Sequence, residues 1–283
     1  MTKIQLLSDL HLEAHPNWVA QPAPGADVLV LAGDIGSYQA GSQLLDNDFG
    51  LGRFSPLSGW PTPVLFVPGN HEYDGLDFDV ADARLRETCH RLGLIWLERE
   101  SVVLDGVRFV GTTLWSDFDA LGPTVDAVKQ ASLGQTAANP LALQLKARDK
   151  AFRAANYYLR KTLTVRNGEP WLAEGVREQA LRCQTWLRQA LAQTFAGPTV
   201  AVTHFAPSLR SADPRYGRTP GTAGFCNALD DLLPLAPCWL HGHLHAPSDY
   251  RHHGCHVVAN PLGYARKNEQ VRFQSQLLIE ICH

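Results

Sequence analysis

Five apolar runs along the chain have the character of β-strands, and each stops in a short polar burst. They begin at residues 4, 27, 63, 199 and 239 and read IQLLSDLHLE, DVLVLAGDIG, PVLFVPGNHEYDG, TVAVTHFAPS and WLHGHLHAP. Within them, VLVLAG and VLFVPG are too continuously apolar to leave one face in water. Runs of this kind are typical of strands in a sheet that is covered on both faces. The pattern therefore predicts buried strands that end in polar residues.

The segments between these runs predict helices and further strands. Residues 36–54 can supply a crossover helix, and residues 77–93 have helical spacing with a glycine stop, so βαβ units are expected. Residues 95–115 have the pattern of three short strands, in which the Asp105-Gly106 dipeptide marks a hairpin.

The periodicity changes between residues 116 and 195. Residues 144–163 and 173–195 predict two amphipathic helices, separated by the turn-like sequence RNGEP, with charges outward and Leu, Phe, Tyr and Trp inward. Strand-like runs resume at residue 199 and end at LLIEI. We therefore expect a single domain over residues 1–283, with residues 116–195 as a helical insertion.

Composition narrows the class of protein. The chain has 283 residues, is 45% hydrophobic and carries a formal net charge of −3. It is large enough for a substantial core, and without a densely basic stretch it lacks the electrostatic footprint of a nucleic-acid partner. No apolar run reaches the length of a membrane span, and no signal-peptide pattern precedes the first strand, so a cytoplasmic location is expected. The six scattered cysteines favour reduced thiols over a disulfide framework, although the even count leaves a disulfide open.

The polar bursts carry most of the candidate chemistry. In α/β sheets, the loops at the carboxyl ends of the strands converge in one crevice, where ligands bind. Together the bursts supply two carboxylates, one amide and five imidazoles: Asp9, His11, Asp34, Asn70, His71, His204, His243 and His245. Oxygen and imidazole ligands suit Mn²⁺, Fe or Zn²⁺, and the absence of cysteine from the bursts argues against a thiolate zinc site.

Each of these residues has an ordinary structural interpretation when it stands alone. A single Asp is more often a helix cap or turn former, and a single His is more often a hydrogen-bonded core residue. Capping does not, however, require His or Asn at so many strand ends, so the joint pattern favours metal binding. Gly33, Gly69 and Gly242 have a shared interpretation as tight backbone that lets ligands approach the metals.

The bursts also resemble the motifs of a known family. In order along the chain they contain DxH, GD, GNHE, TH and GHxH, over residues 9 to 245. This series is similar to that of the calcineurin-like metallophosphoesterases. The resemblance implies a four-layer α/β/β/α sandwich, an α/β fold that holds two divalent metal ions.

The resemblance also implies a role for each residue of the bursts. It assigns one metal to Asp9, His11 and His245, the second metal to Asn70, His204 and His243, and the bridging position to Asp34. His71 is implied to contact the scissile phosphate or to protonate the leaving oxygen. Side chains two residues apart on a strand point to the same face, so His243 and His245 can serve two separate ions only if the chain bends between them. A turn is therefore expected at GHLH.

Charge supports an anionic substrate independently of the family. Two divalent ions and two carboxylates leave the centre with a charge of about +2, which attracts a phosphoester. Two such ions can share a water, lower its pKa and place hydroxide in line with phosphorus. We therefore expect hydrolysis of a small phosphodiester or phosphomonoester, with nucleotides among the candidates and Mn²⁺ ranked first among the metals.

Substrate contacts beyond the metals are expected from two regions. The loop after His204 and the helical insertion carry the candidates, which are Arg210, Arg215, Tyr216, Arg218, Asn156 and Tyr157. Arginine suits phosphate, and tyrosine can stack on a base. The plain alternatives are a solvated basic loop and, for Tyr157 and Tyr158, the core of a helix. Asn260 and Tyr264 are further candidates by their resemblance to site-facing segments of relatives.

The motifs differ from those of two other branches of the superfamily, and two alternative functions, a nuclease and a scaffold, are weighed against hydrolysis of a small ester. The second motif reads GDIGSYQ and not GDxVDRG, which argues against a protein Ser/Thr phosphatase, and His71 stands where lipid A pathway hydrolases carry arginine. A nuclease of the same superfamily needs basic surface, which this acidic chain lacks. A non-catalytic scaffold, as in the retromer subunit, is expected to have lost metal ligands, whereas every ligand position is filled here.

Overall fold

The computed structural model describes residues 1–123 and 139–282. The described residues form thirteen strands: β1 (Thr2–Leu7), β2 (Val28–Ala32), β3 (Val64–Val67), β4 (Ile95–Trp96), β5 (Glu100–Leu104), β6 (Val107–Thr112), β7 (Val165–Arg166), β8 (Glu169–Pro170), β9 (Thr199–Thr203), β10 (Cys238–His241), β11 (Ser248–His252), β12 (Cys255–Ala259) and β13 (Leu278–Ile281). They also form three α-helices: α1 (Phe78–Leu92), α2 (Pro140–Thr162) and α3 (Ala173–Ala192).

Two mixed sheets contain eleven of these strands. The first sheet has the order β13-β1-β2-β3-β4, in which only the edge strand β13 is antiparallel to its neighbour. The second has the order β11-β12-β10-β9-β6-β5, with a parallel centre and an antiparallel strand at each edge. The strands β7 and β8 form a separate hairpin.

The two sheets pack face to face. Alternate residues of β1 and β9, such as Leu6 and Val202, lie in the core between the sheets. The intervening residues point to the outer faces, where the first sheet packs with Leu85 of α1 and the second with Leu187 of α3 in one apolar cluster. The predicted α/β/β/α sandwich is confirmed. This arrangement brings the carboxyl ends of both parallel centres to one edge of the molecule.

Several local predictions are confirmed. Helix α1 begins after Asp77, whose side chain accepts from two backbone N–H groups, and it ends at Gly93 with a φ of 73°. The Asp105-Gly106 turn joins β5 to β6, and both of its residues have positive φ. The six cysteines are free thiols, of which five are buried.

Two local predictions are wrong. Residues 36–54 form no α-helix: they hold a loop and a 3₁₀ turn at Leu51–Phe54, and the positive φ of Gly41 and Gly50 explains why a helix does not propagate. The tyrosines of α2 do not point inward, since Tyr157 and Tyr158 are 60% and 64% exposed.

The proposed insertion lies partly outside the described residues, at 124–138. Its described part consists of α2, the β7–β8 hairpin and α3. The RNGEP turn is the hairpin itself, with Asn167 and Gly168 at positive φ. Helix α3 also covers the second sheet, so this part of the segment belongs to the layered core. None of the described helices carries an apolar stretch of the length that a bilayer core requires.

Candidate metal centre

The polar bursts meet where the strands end. The N–H of Asp9, after β1, donates to the carbonyl of Gly33, after β2, over 2.9 Å. The N–H of Gly242, after β10, donates to the carbonyl of His204, after β9, over 3.0 Å. Across the two sheets, the N–H of His243 donates to the Asp9 carboxylate over 2.9 Å. The loops from both sheets are therefore tied into one unit.

Six of the predicted ligands form two groups in which the candidate ligand atoms lie within 4.8 Å of one another. The first group is Asp9, His11, Asp34 and His245, and the second is Asp34, His204 and His243. Asn70 joins the second group, because its Oδ1 lies 3.2 Å from His204 Nε2. Asp34 is the residue that the two groups share.

The backbone of this centre is unusual. Five of the seven candidate ligands have left-handed φ values between 46° and 73°: Asp9, His11, Asp34, His243 and His245. Non-glycine residues visit this region at a cost, and such residues concentrate where the surrounding structure holds them for function. The turn expected at GHLH is present, since two of its histidines have left-handed backbone.

His11 and His245 are each hydrogen-bonded through Nδ1, and their Nε2 atoms point towards each other. His11 Nδ1 lies 3.0 Å from Glu13 Oε1, and His245 Nδ1 lies 2.7 Å from Glu269 Oε2. Burial raises the pKa of Glu13 to about 7, but its two oxygens accept from the Gln39 amide and the Ser37 N–H. With both carboxylates acting as acceptors, each Nδ1 carries the proton and each Nε2 presents a lone pair. These two Nε2 atoms lie 2.9 Å apart. Two lone pairs at this distance repel unless a cation lies between them, so the pair fits a metal ion.

Buried polar atoms support the same conclusion for both groups. Asp34 Oδ2 and His243 Nε2 are buried without a hydrogen-bond partner among the described residues. His204 Nε2 is 3.2 Å from Asp34 Oδ2, but this contact lacks hydrogen-bond geometry. Burying such atoms unpaired is costly, whereas a cation would satisfy both. The residues present therefore fit a pair of divalent ions.

The charge states also suit metal binding. Burial holds the pKa of His11 and of His243 well below its usual range, so both imidazoles are neutral. Burial acts to raise the pKa of Asp34, but the adjacent His204 and His71 imidazoles lower it well below its usual range. Ligands must be neutral imidazoles or ionised carboxylates, and these three groups are in the required forms. His204 differs: burial acts to lower its pKa, but Asp34 outweighs it and raises the pKa to about 9, so a bound cation has to displace that proton.

His71 has a different environment from the candidate ligands. Its Nδ1 lies 2.5 Å from Asp74 Oδ2, its backbone N–H donates to Asp34 Oδ1 over 2.8 Å, and its side chain is 24% exposed. Burial acts to lower the pKa of His71, but Asp74 and Asp34 outweigh it and raise the pKa to about 10. Bound cations would oppose this rise. The geometry places a proton-carrying group beside the centre, next to the bridging carboxylate.

Glu72, the last residue of GNHE, is the buried link between two motifs. Its carboxylate accepts from the N–H groups of Asp34 at 3.1 Å, Ile35 at 2.6 Å and Gly69 at 2.7 Å. Burial and the Asp34 charge raise its pKa to about 7. Glu72 thereby fixes the loop that presents Asp34 against the loop that presents Asn70 and His71.

The predicted role of the glycines can be tested at Gly69. A Cβ at this position would lie 2.2 Å from Asp34 Oδ1 and 2.5 Å from Asp34 N, where no atom can be accommodated without movement. We expect Gly69→Ala to displace the Asp34 carboxylate, lower metal content and destabilise the fold by about 1–3 kcal/mol. Metal analysis and chemical denaturation measure both effects. Gly221→Ala is the matched control, since its nearest contact would be 3.6 Å away; equal behaviour of the two variants would contradict the prediction.

Sequence reasoning missed the carboxylates that hold the histidines. Glu13 follows His11 by two residues in DLHLE, so a signal for it was present. Glu269 lies 24 residues from His245, and no local pattern marks it. Partners of this kind fix the tautomer and orientation of a ligand and raise its basicity. Asp74 has the corresponding position beside His71.

Replacing one of these partners should weaken metal binding. We expect Glu269→Gln to reduce metal affinity by roughly tenfold or more, because His245 loses the charged acceptor that orients its ring. Competition with a chromogenic chelator measures the affinity. Glu280→Gln, at an exposed carboxylate of β13, is the control. An unchanged affinity in Glu269→Gln would show that this contact does not support the centre.

The proposed substrate contacts have other partners in the structure. Arg210 faces Asp230 and Arg215 pairs with Asp213, while Asn156 Oδ1 accepts from the N–H of Ala173 at the start of α3. Tyr157 packs against Tyr158 and Lys161, Tyr216 lies beside Arg215, and Arg218 lines a separate cleft against α2. The structure does not bring these six side chains into the two ligand groups, and their roles stay predictions.

Two aromatic rings that are not among these six residues stack on candidate ligands. Tyr264 stacks on His11 with ring centroids 4.2 Å apart, and Phe205 stacks on His243 at 3.8 Å. Asn260 is buried and donates to the carbonyls of Leu6 and Gln274, a structural position.

Comparisons with known proteins address the family and the fold of the chain. A family model described as calcineurin-like phosphoesterase matches residues 2–247. The uncharacterized protein L509 of Acanthamoeba polyphaga mimivirus is 25% identical over 309 residues, which cover 99% of this chain and 97% of that protein. The phosphopantetheinyl hydrolase PptH of Mycobacterium tuberculosis shares the fold, with a TM-score of 0.66, 20% identity, and coverage of 99% of this chain and 95% of its own. The family model spans all five motifs, and the chain therefore belongs to the calcineurin-like phosphoesterase family.

Proposed function

We propose that this protein is a two-metal phosphoester hydrolase that acts on a small phosphodiester or phosphomonoester. The observation that carries the proposal is the pair of ligand groups that share Asp34. In this assignment Asp9, His11 and His245 would hold one ion, Asn70, His204 and His243 would hold the other, and Asp34 would serve both. A pair of divalent ions, when bound, supplies charge stabilisation and an activated water.

The protein's own groups orient the substrate and move a proton. His71 is the candidate for protonating the leaving oxygen, because Asp74 fixes its Nδ1 and leaves Nε2 as the atom that can face a substrate. A positioned general acid contributes about 10²- to 10⁴-fold to a rate. Asp74 is then a positioning residue, which acts through the His71 ring.

An activity screen of the metal-loaded protein tests the proposal. The apoprotein is reconstituted with Mn²⁺, Fe²⁺ or Zn²⁺ and assayed with bis(p-nitrophenyl) phosphate and p-nitrophenyl phosphate, followed by cyclic nucleotides and a phosphopantetheinyl ester. We expect metal-dependent hydrolysis of at least one model ester and its loss on chelation. Full metal loading without hydrolysis of any ester would favour the scaffold alternative.

The filled ligand set separates this proposal from the alternatives. A scaffold has no need to retain the four histidines and two carboxylates of the two groups. A nuclease needs a basic surface, and the chain carries a net charge of −3. A cytoplasmic location and substrate selection by residues 116–195 remain predictions; the exposed rings of Tyr157 and Tyr158 are available for such a role.

A further inference from the structure

A recess of about 350 Å³ lies beside the candidate metal centre. Its walls come from three segments: residues 13–15, which follow His11, residues 39–43, which follow the Asp34 burst, and residues 264–266, which follow β12. The volume falls in the range of small-molecule sites.

The recess borders the centre through two residues, Tyr264 and Glu13. Tyr264 lines the recess and also stacks on His11, with an interplanar angle of 24°. Glu13 lines it as well and bonds to the same histidine. The recess and the centre therefore share Tyr264 and Glu13 as a common wall.

The charged groups of the recess differ in whether they already have a partner within the protein. The Glu13 carboxylate is engaged, because it accepts from the Gln39 amide at 3.2 Å and from the Ser37 N–H at 3.2 Å in addition to His11. Arg266 is available: within residues 1–123 and 139–282 it forms no ion pair, and its guanidinium lies 5.1 Å from the Tyr264 ring centroid. The one uncommitted charge on the wall is thus positive and lies next to the ring that borders the centre.

We propose that this recess binds an organic arm of the substrate and that Arg266 pairs with a second anionic group, a carboxylate or phosphate, on that arm. The proposal rests on the proposed function for the position of the first phosphate. It narrows the substrate class to phosphoesters that carry two separated anionic groups. A guanidinium suits either anion, since its fork of N–H donors matches both.

Binding calorimetry on the Mn²⁺-loaded protein tests the proposal with two ligands of equal length, n-butyl phosphate and 4-(phosphonooxy)butanoate, which differ in a terminal carboxylate. We expect the wild type to bind the carboxylate about fivefold more tightly, the scale of a solvent-accessible ion pair. Arg266→Gln should bind both ligands equally. Arg272→Gln, an exposed arginine outside the recess, should keep the preference.

A second variant tests the space independently of the charge. Ala40 is exposed and lines the recess, so Ala40→Phe should weaken both butyl ligands by at least threefold and leave inorganic phosphate unaffected. Ala83→Phe, on the exposed face of α1, is the control. Equal wild-type affinity for the two ligands, or an equal loss of the preference in Arg272→Gln, would overturn the proposal. Failure of all ester hydrolysis with the preference intact would instead remove the proposed function and keep the anion-binding recess.

Discussion

Replacing Asp34 with Asn is expected to remove most of the bound metal and nearly all hydrolysis while the fold persists. Asp34 is the residue common to both ligand groups, and its ionised carboxylate is the charge that two cations would share. An amide has the same shape but lacks that charge. The fold should survive, because the sheets pack through an apolar core that does not include this side chain.

Metal analysis, steady-state assays and thermal unfolding of the Asp34→Asn variant measure the three parts of this expectation. Asp82→Asn is a matched control, since Asp82 accepts from Tyr73 outside the two ligand groups and should keep full metal content. A fully metallated and fully active Asp34→Asn variant would show that Asp34 does not bridge.

Replacing His71 with Ala should lower kcat by roughly 10²- to 10⁴-fold while both metals stay bound. His71 is hydrogen-bonded to Asp74 and lies outside both ligand groups, although its ring centroid is 5.0 Å from that of His11. The loss should be larger for an alkyl leaving group than for p-nitrophenolate, which leaves with little need of a proton.

The comparison of leaving groups separates proton transfer from metal binding. Asp74→Asn should show a smaller loss of the same kind, since it removes the orienting charge and keeps the imidazole. If His71→Ala instead loses one equivalent of metal, the residue is a ligand and not an acid.

Local patterns predict the buried strands and the strand ends at which the candidate ligands lie, whereas the four-layer sandwich is implied by the family resemblance. Continuous apolar runs marked β2 and β3 as buried on both faces, and the Asp105-Gly106 pair marked the hairpin. The candidate ligands stand directly after strands, so the parallel arrangement of those strands was enough to bring them together.

The parts that sequence reasoning missed depend on contacts made in three dimensions. Glu269 reaches His245 from a 3₁₀ turn after β12, and nothing near it in sequence predicts that contact. The segment at residues 36–54 lies between two strand-like runs and so predicts a crossover helix, yet glycine at positions 41 and 50 supports left-handed backbone instead. Tyr157 and Tyr158 had helical spacing, but spacing alone does not identify which side of α2 meets the core.

The left-handed backbone at five candidate ligands lowers the folding stability of this protein at the positions that its activity requires. Each such residue costs the native state on the order of 1 kcal/mol relative to glycine, which enters that region freely. Folding alone therefore favours glycine where the chemistry requires aspartate or histidine. Selection for heat resistance alone, in medium without metal, is therefore expected to favour glycine at these positions, and such variants would bind metal less well.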